Sequence, residues 1–165
     1  MYSYQVTAVY ENNNESAPSN TVKDLIMRFQ GGSGTPEDPY LIATAGLLDV
    51  VRLFHDAHYL QIVDIDLGMD PWNTGEGWEP IGGSDDPFTG SYNGSGLKIQ
   101  NLYINKPDKS LIGLFGDISN STVKHLTIKN TQVAGKYQVG CLAGSVSNGA
   151  TIEYVKVLNA DMLLE

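Results

Sequence analysis

One short pattern of apolar residues, written three times between Leu97 and Asn159, limits what this chain can fold into. Ile99-Gln-Asn-Leu102-Tyr-Ile104, Val123-Lys-His-Leu126-Thr-Ile128 and Ile152-Glu-Tyr-Val155-Lys-Val157 each space their apolar residues by three and then by two. The copies start 24 residues apart (123 − 99 = 24) and then 29 apart (152 − 123 = 29). A unit that short cannot bury its own apolar face, so the copies must stack. The spacing of two is strand alternation, and the preceding spacing of three implies a bend that keeps the inward phase. Each copy therefore reads as one coil of a parallel β-solenoid. Tyr59-Leu60-Gln-Ile-Val63-Asp-Ile65 repeats the spacing through Leu60, Val63 and Ile65, which reads as a first, degenerate coil.

Between the copies lie Ile112-Gly-Leu-Phe-Gly116 and Val139-Gly-Cys-Leu-Ala-Gly144. Gly113, Gly116, Gly140 and Gly144 bracket a second apolar strand, where glycine would let the chain turn between faces without a Cβ penalty. These two stretches resemble the GLUG motif repeats of bacterial surface proteins, including regions attached to immunoglobulin A1 protease-type zinc peptidases; the second copy carries one extra residue. The run from Gly32 through Thr35-Pro-Glu-Asp-Pro-Tyr-Leu-Ile42, then Trp78-Glu-Pro-Ile-Gly82 and Phe88-Thr-Gly90, resembles the entry and first rungs of the same modules. The resemblance covers about Gly32 to Asn159. It implies a right-handed parallel β-helix, a handedness that the general preference for right-handed crossovers also favours.

The expected fold is thus all-β: a right-handed parallel β-helix of about four coils with an N-terminal capping α-helix, preceded by a β-hairpin. Thr44 is a candidate N-cap for a helix reaching about Asp56, with Leu47, Leu48, Val51 and Phe54 on one face to cover the open end of the solenoid. In the hairpin, Tyr4-Gln-Val6-Thr-Ala8-Val-Tyr10 alternates, Glu11 to Glu15 turns, and Ser16 to Val22 extends again. It resembles the last two strands of a fibronectin type III domain. Residues 1–30 then form a fibronectin type III-like fragment with linker, and 31–165 a GLUG-type solenoid truncated at its C-terminus, because no polar cap follows Asn159. Met1 leading directly into a strand suggests a fragment of a longer protein. The unpaired hairpin edges favour a dimer through this segment.

A formal net charge of −9 argues against nucleic acid or an anionic membrane as partner, since both need clustered Lys and Arg. No apolar run approaches the roughly 20 residues that span a bilayer, and the N-terminus lacks signal-peptide character. Cys141, the single cysteine, permits no intrachain disulfide and reads as a small buried hydrophobe.

Asp64, Asp66 and Asp70 form the densest carboxylate cluster, with Asp85 and Asp86 nearby in sequence. Calcium takes about six to eight oxygens, and polysaccharide lyases on β-helices use such groups to hold it. Outward carboxylates on a solvated sheet are the ordinary reading, so no cofactor is expected and calcium is the one metal to test. His55 and His58 would share a helix face only if the helix reached both. Trp72, Trp78, Tyr92 and Tyr103 offer flat rings for stacking on sugars; the resemblance implies that Trp78 and Phe88 are core, and Trp72 reads as the exposed contact, unless its loop folds back over the cap. Asn105, Asn130 and Asn159 end the three strands and suggest a hydrogen-bonded amide ladder. No His-Glu-x-x-His, Gly-x-Ser-x-Gly, phosphate loop or dinucleotide fingerprint occurs, so no catalytic residue is assigned. The leading expectation is a non-catalytic structural and adhesive module, extracellular or on a cell surface, meeting host or environmental glycans or proteins. A carbohydrate-binding or polysaccharide-cleaving β-helix and an inert spacer stand as alternatives.

Overall fold

Alternating apolar and polar residues between glycine and asparagine corners make short strands, and the computed structural model arranges them as a β-solenoid of about four turns; it describes residues 29–164. The hairpin, its fibronectin type III-like character and the dimer through it lie outside the described residues. The first face stacks β1 (Tyr40–Ile42), β2 (His58–Gln61), β4 (Ser91–Asn93), β8 (Thr122–Lys124) and β11 (Thr151–Glu153), all in parallel. The second stacks β3 (Ile65–Asp66), β5 (Lys98–Gln100), β9 (Thr127–Val139) and β12 (Lys156–Leu164), with β6 (Tyr103–Ile112) extending the β5 coil alongside β9. The third pairs β7 (Phe115–Ser119) with β10 (Ala143–Ser147), and Ile81 and Phe88 bridge onto β7 from the coil before.

The register shifts the repeat relative to its sequence alignment. Ile65, Ile99, Ile128 and Val157 are the equivalent residues on the second face, while Tyr59, Tyr92, Val123 and Ile152 are equivalent on the first. Ile99 therefore matches Ile128 rather than Val123, and Ile104 matches Val133. The first coil is corrected in the same way: Tyr59 and Gln61 point inward, Leu60 is half-buried and Val63 is 41% exposed. Gln61 occupies a core position because all its polar atoms are matched. Its amide donates to the carbonyls of Val63 (2.8 Å) and Lys98 (2.9 Å) and accepts from the Tyr92 hydroxyl (3.0 Å).

Inside, an aromatic column climbs the solenoid: Phe29 stacks on Tyr40 at 4.3 Å, and Tyr59, Phe88 and Phe115 follow at centroid separations of 6.0, 6.2 and 5.0 Å. Around it Ile65, Ile99, Leu102, Ile104, Val123, Leu126 and Ile128 are buried. In the last coil Ile152 and Val157 are partly exposed and Val155 packs from the rim, because nothing among the described residues stacks beyond β11 and β12.

The helix is shorter than the apolar spacing predicts. Thr44 does cap it, its hydroxyl accepting from Leu47 N–H at 3.1 Å, but α1 spans Ala45–Val50 and tightens into one 3-10 turn at Val51–Leu53. Phe54 lies past its end and His58 is on β2, so the two histidines share no helix face.

The four corner glycines owe their identity to closeness rather than to backbone angle. None of Gly113, Gly116, Gly140 and Gly144 has positive φ, yet a Cβ on Gly116 would sit 2.2 Å from the Gly82 carbonyl oxygen, and one on Gly144 would sit 2.5 Å from the Gln138 carbonyl oxygen. The left-handed corners fall instead mostly to non-glycine residues, among them Asn101, Asn130 and Asn159, a role that asparagine fills well.

Candidate functional site

The insertion between Gly68 and Asp86 is tied down along its length. Trp78 is fully buried and its indole N–H donates to the Leu114 carbonyl at 3.0 Å, while its backbone N–H donates to Tyr103 at 2.8 Å. The Arg52 guanidinium lies 4.9 Å from the Trp78 ring centroid and donates to the Glu79 carbonyl at 2.7 Å. Lys106, almost wholly buried, meets the carboxylates of Glu76 (2.6 Å) and Glu79 (2.8 Å). Burial alone would lower the Lys106 pKa; the two carboxylates outweigh it and raise it. At the far end the His55 ring lies 2.9 Å from the Asp86 carboxylate, a close contact without hydrogen-bond direction. Trp72, the ring expected as an exposed contact, is half-buried and packs part of its surface on the core.

Two carboxylates of the acidic cluster, Asp66 and Asp64, are engaged in structure, while Asp70 is exposed on the insertion. Asp66 accepts from the Gly68 N–H (2.8 Å), the Gln100 amide (2.9 Å) and the Asn101 amide (2.7 Å). These bonds, the backbone one first, hold its carboxyl below the usual aspartate range. Asp64 accepts from the Lys98 N–H at 2.9 Å, with the ammonium of the same lysine at 3.7 Å. Among the described residues no three His, Cys, Asp or Glu side chains gather as a metal group.

Asp66 is also the foot of a ladder. Asn130 donates to Asn101 at 3.4 Å and Asn159 donates to Asn130 at 3.1 Å, each step being 29 residues. The first member is Asn101, not Asn105: Asn105 pairs with Ala134 further along the strand. On the next corner Asn148 donates to Ser119 at 2.8 Å, again 29 residues apart. Cys141 is buried against Thr131, with 3.1 Å between sulfur and hydroxyl.

The positive φ of the three ladder asparagines turns the chain just before the outer part of the second face. Two residues after each ladder position stand Tyr103, Gln132 and Asp161, paired in register across three coils. They line a cavity of about 470 Å³ roofed by Gly68 and Asn73 of the insertion, and a second of about 270 Å³ that also holds Asn105. The larger is a trough along the solenoid axis between the asparagine ladder and this column, and the smaller lies on the column's other side; among the described residues Asp161 is the one charged side chain lining either. Sequence spacing points to Tyr103 alone of this column, because Asn105 stands out of step with Asn130 and Asn159; counting two on from Asn101, Asn130 and Asn159 finds all three. A separate 270 Å³ recess borders His125 and Tyr154, whose rings stack at 5.2 Å and 13°.

The fold and site thus define a β-solenoid repeat module. No protein-family model matches the chain. It is 42% identical to a protein of Evansella cellulosilytica that carries the name of a Gly-rich membrane protein, over 78% of this chain and 15% of that one. It is 39% identical to halomucin of Haloquadratum walsbyi, over 72% of this chain and 1% of that one. The chain therefore spans only a small part of these relatives. A crystal structure from Bacteroides ovatus, of a protein named as an immunoglobulin A1 protease, superposes with a TM-score of 0.57 at 22% identity, covering 69% of this chain and 33% of that one. That likeness bears on the fold alone. Among the described residues no helix is long and apolar enough to cross a membrane.

Proposed function

We propose that the chain is a non-catalytic structural and adhesive module of a large secreted or cell-surface protein, of the GLUG-repeat type. The observation that carries this reading is the use made of the polar residues. Asp66, Asn101, Asn130, Asn159 and Asn148 are engaged between coils, so these polar side chains hold one rung to the next. A rod built this way presents loops at a fixed spacing, which suits display. Relatives named as a membrane protein and a halomucin, each far longer than this chain, fit a place at the cell surface.

Antibodies raised against the chain test the location: labelling of intact source cells is expected, and labelling only after permeabilisation sinks the surface reading. Incubation of the purified chain with a panel of polysaccharides and proteins tests the rest, with no release of reducing sugar, unsaturated uronate or peptide expected. Turnover that persists through purification overturns the non-catalytic assignment.

A further inference from the structure

We propose that the trough along the Tyr103–Gln132–Asp161 column binds an extended, neutral, β-linked glycan strand running parallel to the solenoid axis. The inference goes beyond surface display and stands or falls separately from it. Three observations carry it.

The first is the register. Tyr103, Gln132 and Asp161 occupy the same position in successive coils, and parallel strands lie about 4.8 Å apart. That step is close to the length of one hexose unit in an extended glycan. A straight column offering one polar group per coil therefore meets a straight ligand at about one sugar per coil, with alternate edges of successive sugars turned toward it. Coiled α-linked chains drift out of such a register.

The second is the chemistry of the lining. Gln132 and Asn73 each supply an acceptor and two donors, Asp161 two acceptor oxygens, and Tyr103 a phenol on a flat ring. Paired donors and acceptors of this kind suit vicinal hydroxyls and acetamido groups. Among the described residues no lysine or arginine lines the trough and one carboxylate does, so the field in it favours a neutral strand and disfavours a uronate. The groove at Glu76, Glu79, Lys106 and Lys109 differs on this point, because its carboxylates are already paired to Lys106.

The third is availability. The ladder asparagines beside the trough are engaged with one another, whereas Gln132 and Asp161 are exposed and no side-chain hydrogen bond within the described residues uses them. Gly68 and Asn73 border the trough from the insertion, so Asn73 adds an amide to its lining.

Calorimetric titration with cello- and chito-oligosaccharides of two to six units tests this. Affinity is expected to climb with length up to three or four units and then level off, since three coils carry the column. Gln132→Ala and Asp161→Ala, both on exposed positions that leave the core untouched, are each expected to weaken binding about fivefold, the scale of one lost hydrogen bond. Lys109→Ala is expected to leave it unchanged, and oligouronates are expected not to bind. Absence of binding by every neutral oligomer at millimolar concentration overturns the proposal. So does affinity indifferent to both trough substitutions, or uronates binding as well as the neutral chains. None of these results alters where antibodies find the protein on the cell.

Discussion

Asp66 anchors three donors at the start of the asparagine ladder, and its depressed pKa fixes the sign of a pH effect. A carboxyl whose folded pKa lies below its unfolded value of about 3.9 contributes stability above that value and loses it as pH falls through the folded pKa. The acid limb of stability below about pH 4 is therefore expected to flatten in Asp66→Asn. At neutral pH the same change is expected to cost about 1 kcal/mol, because the side chain is partly exposed and an amide accepts fewer of the three bonds. Denaturant unfolding of both proteins at pH 3 and pH 7 checks this; identical pH profiles would remove Asp66 from the ladder. The sequence shows Asp64, Asp66 and Asp70 as a cluster, but what occupies their oxygens depends on Gln100 and Asn101 one coil away, which local spacing cannot reveal. Gln61 was hidden for a related reason, since hydropathy places a glutamine outside unless its partners at Val63, Lys98 and Tyr92 are known.

At the level of the strand and corner, the apolar rhythm was enough to expect stacked coils and a capped entry helix beginning after Thr44, while the family resemblance placed Trp78 and Phe88 in the core, and all of these are present. The register was not legible, because Ile99, Val123 and Ile152 look alike while only pairing tells that Ile99 belongs with Ile128. The helix overran in expectation because Val51 and Phe54 continue its apolar face, yet the chain must turn there to deliver Tyr59 to β2. The corner glycines were found for an incomplete reason, and the difference is testable. Gly116→Ala places a methyl against the Gly82 carbonyl and is expected to destabilise by about 3 kcal/mol, at the upper end of overpacking costs. Gly83→Ala, with open space around it and no positive φ, is expected to change stability by less than about 0.5 kcal/mol. Thermal unfolding of the two variants separates crowding from conformational freedom; equal effects would contradict it.

Across the whole molecule, each coil is stabilised chiefly by its neighbours, so protection should follow position in the stack. β8 and β9 are paired on both sides, whereas β11 and β12 are paired on one and expose Val157, Met162 and Leu164. Hydrogen exchange is expected to be slowest at Ile128 and Val133 and fastest along Lys156–Leu164, with uniform rates across the coils as the contrary outcome. The step between equivalent ladder residues is constant at 29 over the last coils, and this makes height a quantity that gene duplication can set. Copying one 29-residue unit in tandem reproduces its corner asparagine, its inward residues and its glycine bend together, and raises the rod by one strand spacing of about 4.8 Å. A protein assembled from such units reaches outward by counting.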